Sequence, residues 1–239
     1  MPVYRTSEGV ENLGENYKTF DACLEIFRAH GVIHIFSEGK CINEWHLRPL
    51  KKGTARLAIK AWEENIPLKV LPVGINYSSF NMFGKNVFIN FGEVITKENI
   101  DWQNSDGARN LSFNNLLRSQ LQQLVFEIGK KDKAKQSALL EQKPALFTKI
   151  LLLIPAAAGW LLHAPLYLPA RSFAFKKFSN SDHYDSVLTG ILVFTYPAYV
   201  LLFTLLVFMF VNSPWVLFLL VCLPFTAWCY VQVKEQLDK

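Results

Sequence analysis

The 239-residue sequence is short of cysteine, and its four thiols, Cys23, Cys41, Cys222 and Cys229, form no CxxC pair. That argues against a disulfide framework, and reduced structural thiols are expected. No cluster of His, Cys, Asp and Glu has metal-ligand spacing, so no metal is expected. Lys and Arg form no dense stripe interleaved with aromatics, and a net charge of +5 is modest; nucleic acid is a poor partner. Met1 leads into strand-like Pro2-Val3-Tyr4-Arg5 without an apolar leader, so no signal peptide is expected. The scarcest property of the last ninety or so residues is charge. Residues 1–149 hold 20 of the 25 Lys/Arg and 16 of the 20 Asp/Glu; residues 150–239 hold the remaining 5 and 4.

What fills that second part is Leu, Phe, Val, Ala and Pro, in three apolar blocks. Residues 150–168 are interrupted by Pro155, His163 and Pro165, with Pro169 just beyond. Residues 187–211 carry no charge, and residues 214–231 follow after only Asn212-Ser213. At about 1.5 Å per residue, the second and third blocks each reach across a hydrocarbon core of about 30 Å. They are expected to form a transmembrane hairpin over 187–231. Arg171, Lys176 and Lys177 precede it and Lys234 and Lys239 follow, whereas the turn is uncharged. The positive-inside rule then places loop, tail and the more charged first part in the cytoplasm. Block 150–168 must enter and return on one side, as an interfacial or re-entrant segment. The expected domains are a soluble part over 1–128, a charged linker over 129–149, the interfacial segment and basic loop over 150–186, the hairpin, and a tail over 232–239.

In the first part, Pro2–Arg5 reads as a strand end and Thr6–Tyr17 as a loop. Its GVENLGEN has the glycine spacing of a phosphate loop, but Glu15 and Asn16 stand where Lys and Ser/Thr would be required. Helical periodicity covers Tyr17–His30, with Gly31 as a stop. Val32–Phe36 has the form of a strand buried on both faces, which makes His34 a core residue. Helices are expected over Gly53–Glu64 and Phe113–Ile128, and strands over Leu68–Ile75, with Pro72 marking an edge, bulge or end, and over Asn86–Phe91. Strands alternating with helices point to an α/β layered domain. Two sequons, at Asn76 and Asn110, fall in this cytoplasmic part and carry no expected glycan.

Residues 34–57, HIFSEGKCINEWHLRPLKKGTARL, concentrate the chemistry. Glu38 and Gly39 follow the expected strand, where α/β sheets bind ligands. Gly39 permits close backbone approach. Lys40, Arg48, Lys51 and Lys52 could hold an anion such as phosphate, with Arg5 joining from another strand end. A solvated charged turn is the commoner explanation of such a stretch.

Ile35-Phe36-Ser37-Glu38-Gly39-Lys40 resembles the FPEGTR block of the PlsC-like glycerolphosphate and lysophospholipid acyltransferases. Leu50-Lys51-Lys52-Gly53-Thr54-Ala55 is similar to that family's FK-x-G-A/T element. Val70-Leu71-Pro72-Val73-Gly74 is similar to its proline-centred strand, and Pro2–Arg5 to the end of its second block. His163–Pro169, with the basic stretch and Asp185-Ser186 after it, looks like a region of some membrane glycerol-3-phosphate acyltransferases. The resemblance implies a mixed sheet flanked by helices, joined to C-terminal membrane helices. It implies transfer of a fatty acyl group from acyl-CoA or acyl carrier protein, as a donor substrate rather than a cofactor, to glycerol-3-phosphate or a 1-acylglycerol-3-phosphate-like lysolipid. Arg5, Ser37, Glu38, Gly39, Lys40, Arg48, Lys51 and Gly53 would line the acceptor site.

The departures from the family are at Ser37, Lys40 and Cys41, which replace its proline, threonine and arginine. Lys40 or Arg48 would have to supply the lost cation. The family's NHx4D block provides a histidine general base oriented by an aspartate, and none of the five histidines here has Asp at the fifth following position. No catalytic residue is therefore assigned. An N-terminally truncated acyltransferase, inactive alone, is the leading expectation; a non-catalytic, membrane-anchored phospholipid-headgroup-binding protein is the alternative.

Overall fold

Apolar residues at helical spacing make α1 (Glu15–Arg28). The chain leaves it through His30, at φ 57, and Gly31, whose N–H donates to the Ile26 carbonyl at 2.8 Å. The structure, a computed structural model, describes residues 15–237. The expected strand end at 2–5, Arg5 included, and the expected loop before Glu15 lie outside the described residues.

The expected strand Val32–Phe36 does not form. Its backbone is irregular, Val32 and Phe36 are 81% and 80% exposed, and His34 is exposed, so it is no core residue. Apolar side chains alone do not make a strand; its N–H and C=O groups need a neighbouring ladder. Among the described residues the strands pair only with each other, as β1 (Val73–Tyr77) with β2 (Val87–Phe91).

The core of this first part is built by helices. Along α2 (Gly53–Glu63), Ala55, Leu57, Ala58, Ile59, Ala61 and Trp62 are buried. Trp62 meets Phe113 edge-on at 5.8 Å and donates its indole N–H to the Leu68 carbonyl at 2.9 Å. Phe113 belongs to α3 (Asp106–Leu124), which starts and ends earlier than the sequence pattern suggests. Its end is fixed by two asparagines. Asn76 and Asn90 both donate to the Leu124 carbonyl, at 3.0 and 2.8 Å, and Asn76 accepts the Phe126 N–H at 2.7 Å. Such contacts satisfy the orphan carbonyls of a helix end, and they occupy the buried amide of one sequon.

Pro72 stands just before β1. Its carbonyl accepts the Gly92 N–H at 2.9 Å, where the proline itself has no N–H to offer. The expected mixed sheet is thus replaced, among the described residues, by one strand pair, and helix dominates. A ladder grows only where a strand finds a second unpaired edge, and among the described residues the apolar run at 32–36 finds none.

The chain divides into two compact units. One runs to Asn76 and resumes over Phe88–Gly129; the other comprises Tyr77–Val87 and the chain from Lys130 onward. Within the second, part of the expected charged linker coils into α4 (Lys133–Leu140), capped by Asp132, whose carboxylate accepts the Lys135 N–H at 3.0 Å. Then come α5 (Leu146–Phe178), α6 (Tyr184–Val211), a 3-10 turn (Pro214–Phe218) and α7 (Leu219–Val233). By length and composition all three long apolar helical segments suffice to cross a membrane, with mean hydropathies of 1.7, 2.3 and 2.0. Asn212, left-handed at φ 46, turns α6 back towards α7.

Two sets of contacts show that α5 is not a straight rod. Leu152 and Ala156 pack on Cys229, with Tyr230 and Val233 beside them. Ala170 and Ala174 pack on Tyr184, Leu188 and Leu192 at the start of α6. The end of α7 and the start of α6 lie together, because Lys234 donates to the Phe83 carbonyl, Phe83 packs against the cluster that holds Tyr184 and Leu188, and Lys85 nearby pairs with Asp185. A straight helix would separate Leu153 from Arg171 by about 27 Å. Yet Leu153 lines a groove with Lys234, and Arg171 also acts on Lys234. Both halves of α5 therefore reach the same end of the hairpin. The bend falls between Gly159, which touches α7, and Pro165, which has no N–H for a helical bond.

A consequence is checkable in a chain stripped of native cysteines. Cysteines placed at Lys143 and Lys177 should react with an impermeant maleimide from the same side of the vesicle. Labelling from opposite sides would show that α5 crosses.

Candidate functional site

The turn after Phe36 is closed by the Gly39 N–H donating to the Phe36 carbonyl at 3.0 Å. Gly39 sits at φ +68, which L side chains rarely adopt, and a Cβ there would meet the Lys51 Cγ at 3.1 Å. The missing side chain is what lets the Lys51 stem cross the turn. Backbone ties hold that crossing: the Lys51 N–H donates to the Ser37 carbonyl at 2.7 Å, and the Ser37 and Thr54 hydroxyls share a hydrogen bond at 2.8 Å.

Thr54 is the second residue of α2, so the turn is fastened to a helix start. That start has no side-chain cap from Lys52 and no acidic residue in its first turn. Gly53 leaves open space where a Cβ would stand. A helix N-terminus with uncapped N–H groups carries partial positive charge. Lys51 and Lys52 precede it directly, so the local chemistry suits a phosphate.

Glu38 has a different role. Its carboxylate accepts the Arg48 backbone N–H at 2.7 Å, pinning the loop 38–48 closed. The Arg48 guanidinium turns instead to Glu44, at 2.7 Å. The structure thus joins Ser37, Glu38, Gly39, Lys51 and Gly53 in one place and directs the Arg48 charge to a carboxylate. Lys40 is exposed, and Arg5 lies outside the described residues.

Three participants escaped the sequence reading: Thr54, Glu44 and Glu127. Burial alternates along the next segment, with Trp45 and Leu47 in and His46 out. Trp45 forms an antiparallel bridge with Ile128. This brings Glu127 alongside, where one oxygen accepts the Leu47 N–H at 3.0 Å and the other lies 2.5 Å from His46 Nδ1. A carboxylate on Nδ1 orients the ring and leaves Nε2 open to a further partner. Glu127 is 81 residues from its histidine in the chain, and no spacing rule would have matched them.

No group of His, Cys, Asp and Glu among the described residues could hold a metal ion.

A cationic turn seated on a helix start is joined in one chain to three helical segments that fit a membrane-anchored protein. Residues 1–76 match the acyltransferase family model, which suggests acyl transfer in lipid metabolism. No curated protein and no solved structure matches the chain.

Proposed function

We propose that this chain holds the acceptor-phosphate site of a lipid acyltransferase. The acyl group would pass from acyl-CoA or acyl carrier protein to the hydroxyl of glycerol-3-phosphate or a 1-acylglycerol-3-phosphate-like lysolipid, on the cytoplasmic face of a membrane. One observation carries this reading: Lys51 lies across Gly39 at the uncapped start of α2, inside the segment that matches the family. Lys51, Lys52 and the first N–H groups of α2 hold the phosphate, and Ser37, Glu38 and Thr54 keep the turn in place. The apolar helices keep the site where acyl substrates partition.

Two readings of the chemistry differ at the base. In the first, the family's histidine block is needed, and this chain, which does not contain it, binds the acceptor without turnover. The His46–Glu127 pair favours the second, in which the chain carries its own oriented histidine.

Purified residues 1–239 in nanodiscs, given acyl-CoA and glycerol-3-phosphate, separate them. Glycerol-3-phosphate binding should fall about tenfold on Lys51→Ala, the loss expected for one charge-assisted contact. No thioester is consumed on the first reading. On the second, free CoA appears, and His46→Gln abolishes its release while leaving acceptor binding unchanged. Absence of any binding that depends on Lys51 sinks both.

A further inference from the structure

The helical unit carries cations of its own. Lys85, in the loop between β1 and β2, pairs with Asp185 at 2.5 Å, with both side chains largely shielded from water. Lys234, just past the end of α7, donates to the Phe83 carbonyl. Burial pushes the Lys234 ammonium down to about 8; Arg171 adds to that push and Asp185 opposes it. Lys234 and Arg171 thus share the neighbourhood of Asp185, a carboxylate that Lys85 already engages. A carbonyl takes one of the three ammonium donors but neutralises none of its charge.

From Lys234 an apolar groove of about 270 Å³ runs between the first half of α5 and the end of α7. Leu153, Ala156, Ala157, Trp160, Tyr230 and Val233 line it. The fold-back of α5 creates this arrangement, because it lays Leu153–Trp160 beside Tyr230–Lys234 at the end of α7. The groove has an acyl-compatible wall and a positive end, the two halves of a lipid-shaped site.

We infer that the groove binds one anionic phospholipid of the surrounding bilayer, with an acyl chain against Ala156, Ala157 and Trp160 and the phosphate at Lys234. Charge complementarity selects the occupant. A zwitterionic lipid brings its own cation up to the Lys234 ammonium, whereas an anionic one meets that buried ammonium with net negative charge. This site is independent of the acyl-transfer reading and makes no use of it.

Trp160 reports the occupant. The full chain in nanodiscs is titrated with phosphatidylglycerol or phosphatidylcholine brominated in the acyl chain, and Trp160→Phe is subtracted to isolate that indole. Phosphatidylglycerol should quench at about a tenfold lower mole fraction, as a lipid of net negative charge meeting the Lys234 ammonium would give. Lys234→Gln should remove the preference and Lys234→Arg keep it. Arg171→Gln should weaken it in part, which serves if Lys234→Gln does not fold. Equal quenching by both lipids, or an unchanged preference in both glutamine variants, overturns the assignment. So does relief of quenching by soluble glycerol phosphate alone, since the ligand would then be a free phosphate.

Discussion

Trp62→Ala lowers the stability of the first unit by about 3–5 kcal/mol, the range for deleting a fully buried aromatic. The indole is completely enclosed, packs edge-on against Phe113, and donates to the Leu68 carbonyl. Alanine removes the packing and the ring contact, and leaves that carbonyl without its donor. Trp62→Phe separates the causes, because it restores most of the volume but not the N–H, and should cost about 1–3 kcal/mol. Pulse proteolysis of the detergent-solubilised chain in urea, with cleavage followed in residues 15–129, measures both. A loss under about 1 kcal/mol for the alanine variant would mean that this core is not where the unit is held.

Gly159→Ala should unfold the membrane helices at a clearly lower temperature, for an opposite reason. A Cβ at Gly159 would stand 2.1 Å from the Thr226 carbonyl oxygen, far inside any permitted contact. That oxygen is backbone within α7 and cannot rotate away, so α5 and α7 must separate. Overpacking of this kind costs about 1–3 kcal/mol or more. Gly190→Ala in α6 supplies the control: its Cβ meets nothing within 4 Å, and replacing a helical glycine there should be neutral or stabilising by about 0.5–1 kcal/mol. Thermal unfolding of the three proteins in one detergent decides the matter. If Gly159→Ala melts with the wild type, the close approach of α5 to α7 is not what fixes the bend.

Much of the molecule could be read from local chemistry. Helical spacing found α1, α2 and α3 to within a few residues at most ends, and long apolar blocks marked α5, α6 and α7. Those features are periodic or continuous along the chain, so a window of sequence contains their cause. Val32–Phe36 shows where that logic fails. Its composition is that of a buried strand, but burial and pairing depend on neighbours that a window does not contain. The position of Pro72 was legible only as a choice among edge, bulge and end; the Gly92 N–H on its carbonyl identifies the end.

The candidate site divides in the same way. Gly39, Lys51 and Gly53 were legible because a turn glycine and a basic helix start announce themselves locally. Arg48 was assigned to the anion and instead pairs with Glu44, since a long side chain takes the nearest well-placed carboxylate. Thr54 became visible only when α2 brought its hydroxyl to Ser37. The His46–Glu127 pair required the Trp45–Ile128 bridge.

The sequence by itself determined that a charged part is followed by bilayer-length apolar helices, and that a glycine turn leads to a basic helix start. Those properties reside in composition and short-range periodicity. Only the tertiary structure decided which carboxylate each cation meets, that α5 returns on itself, and that Lys234 stands at the end of an apolar groove. Each of these depends on groups far apart in the chain, and folding alone sets the distance between them.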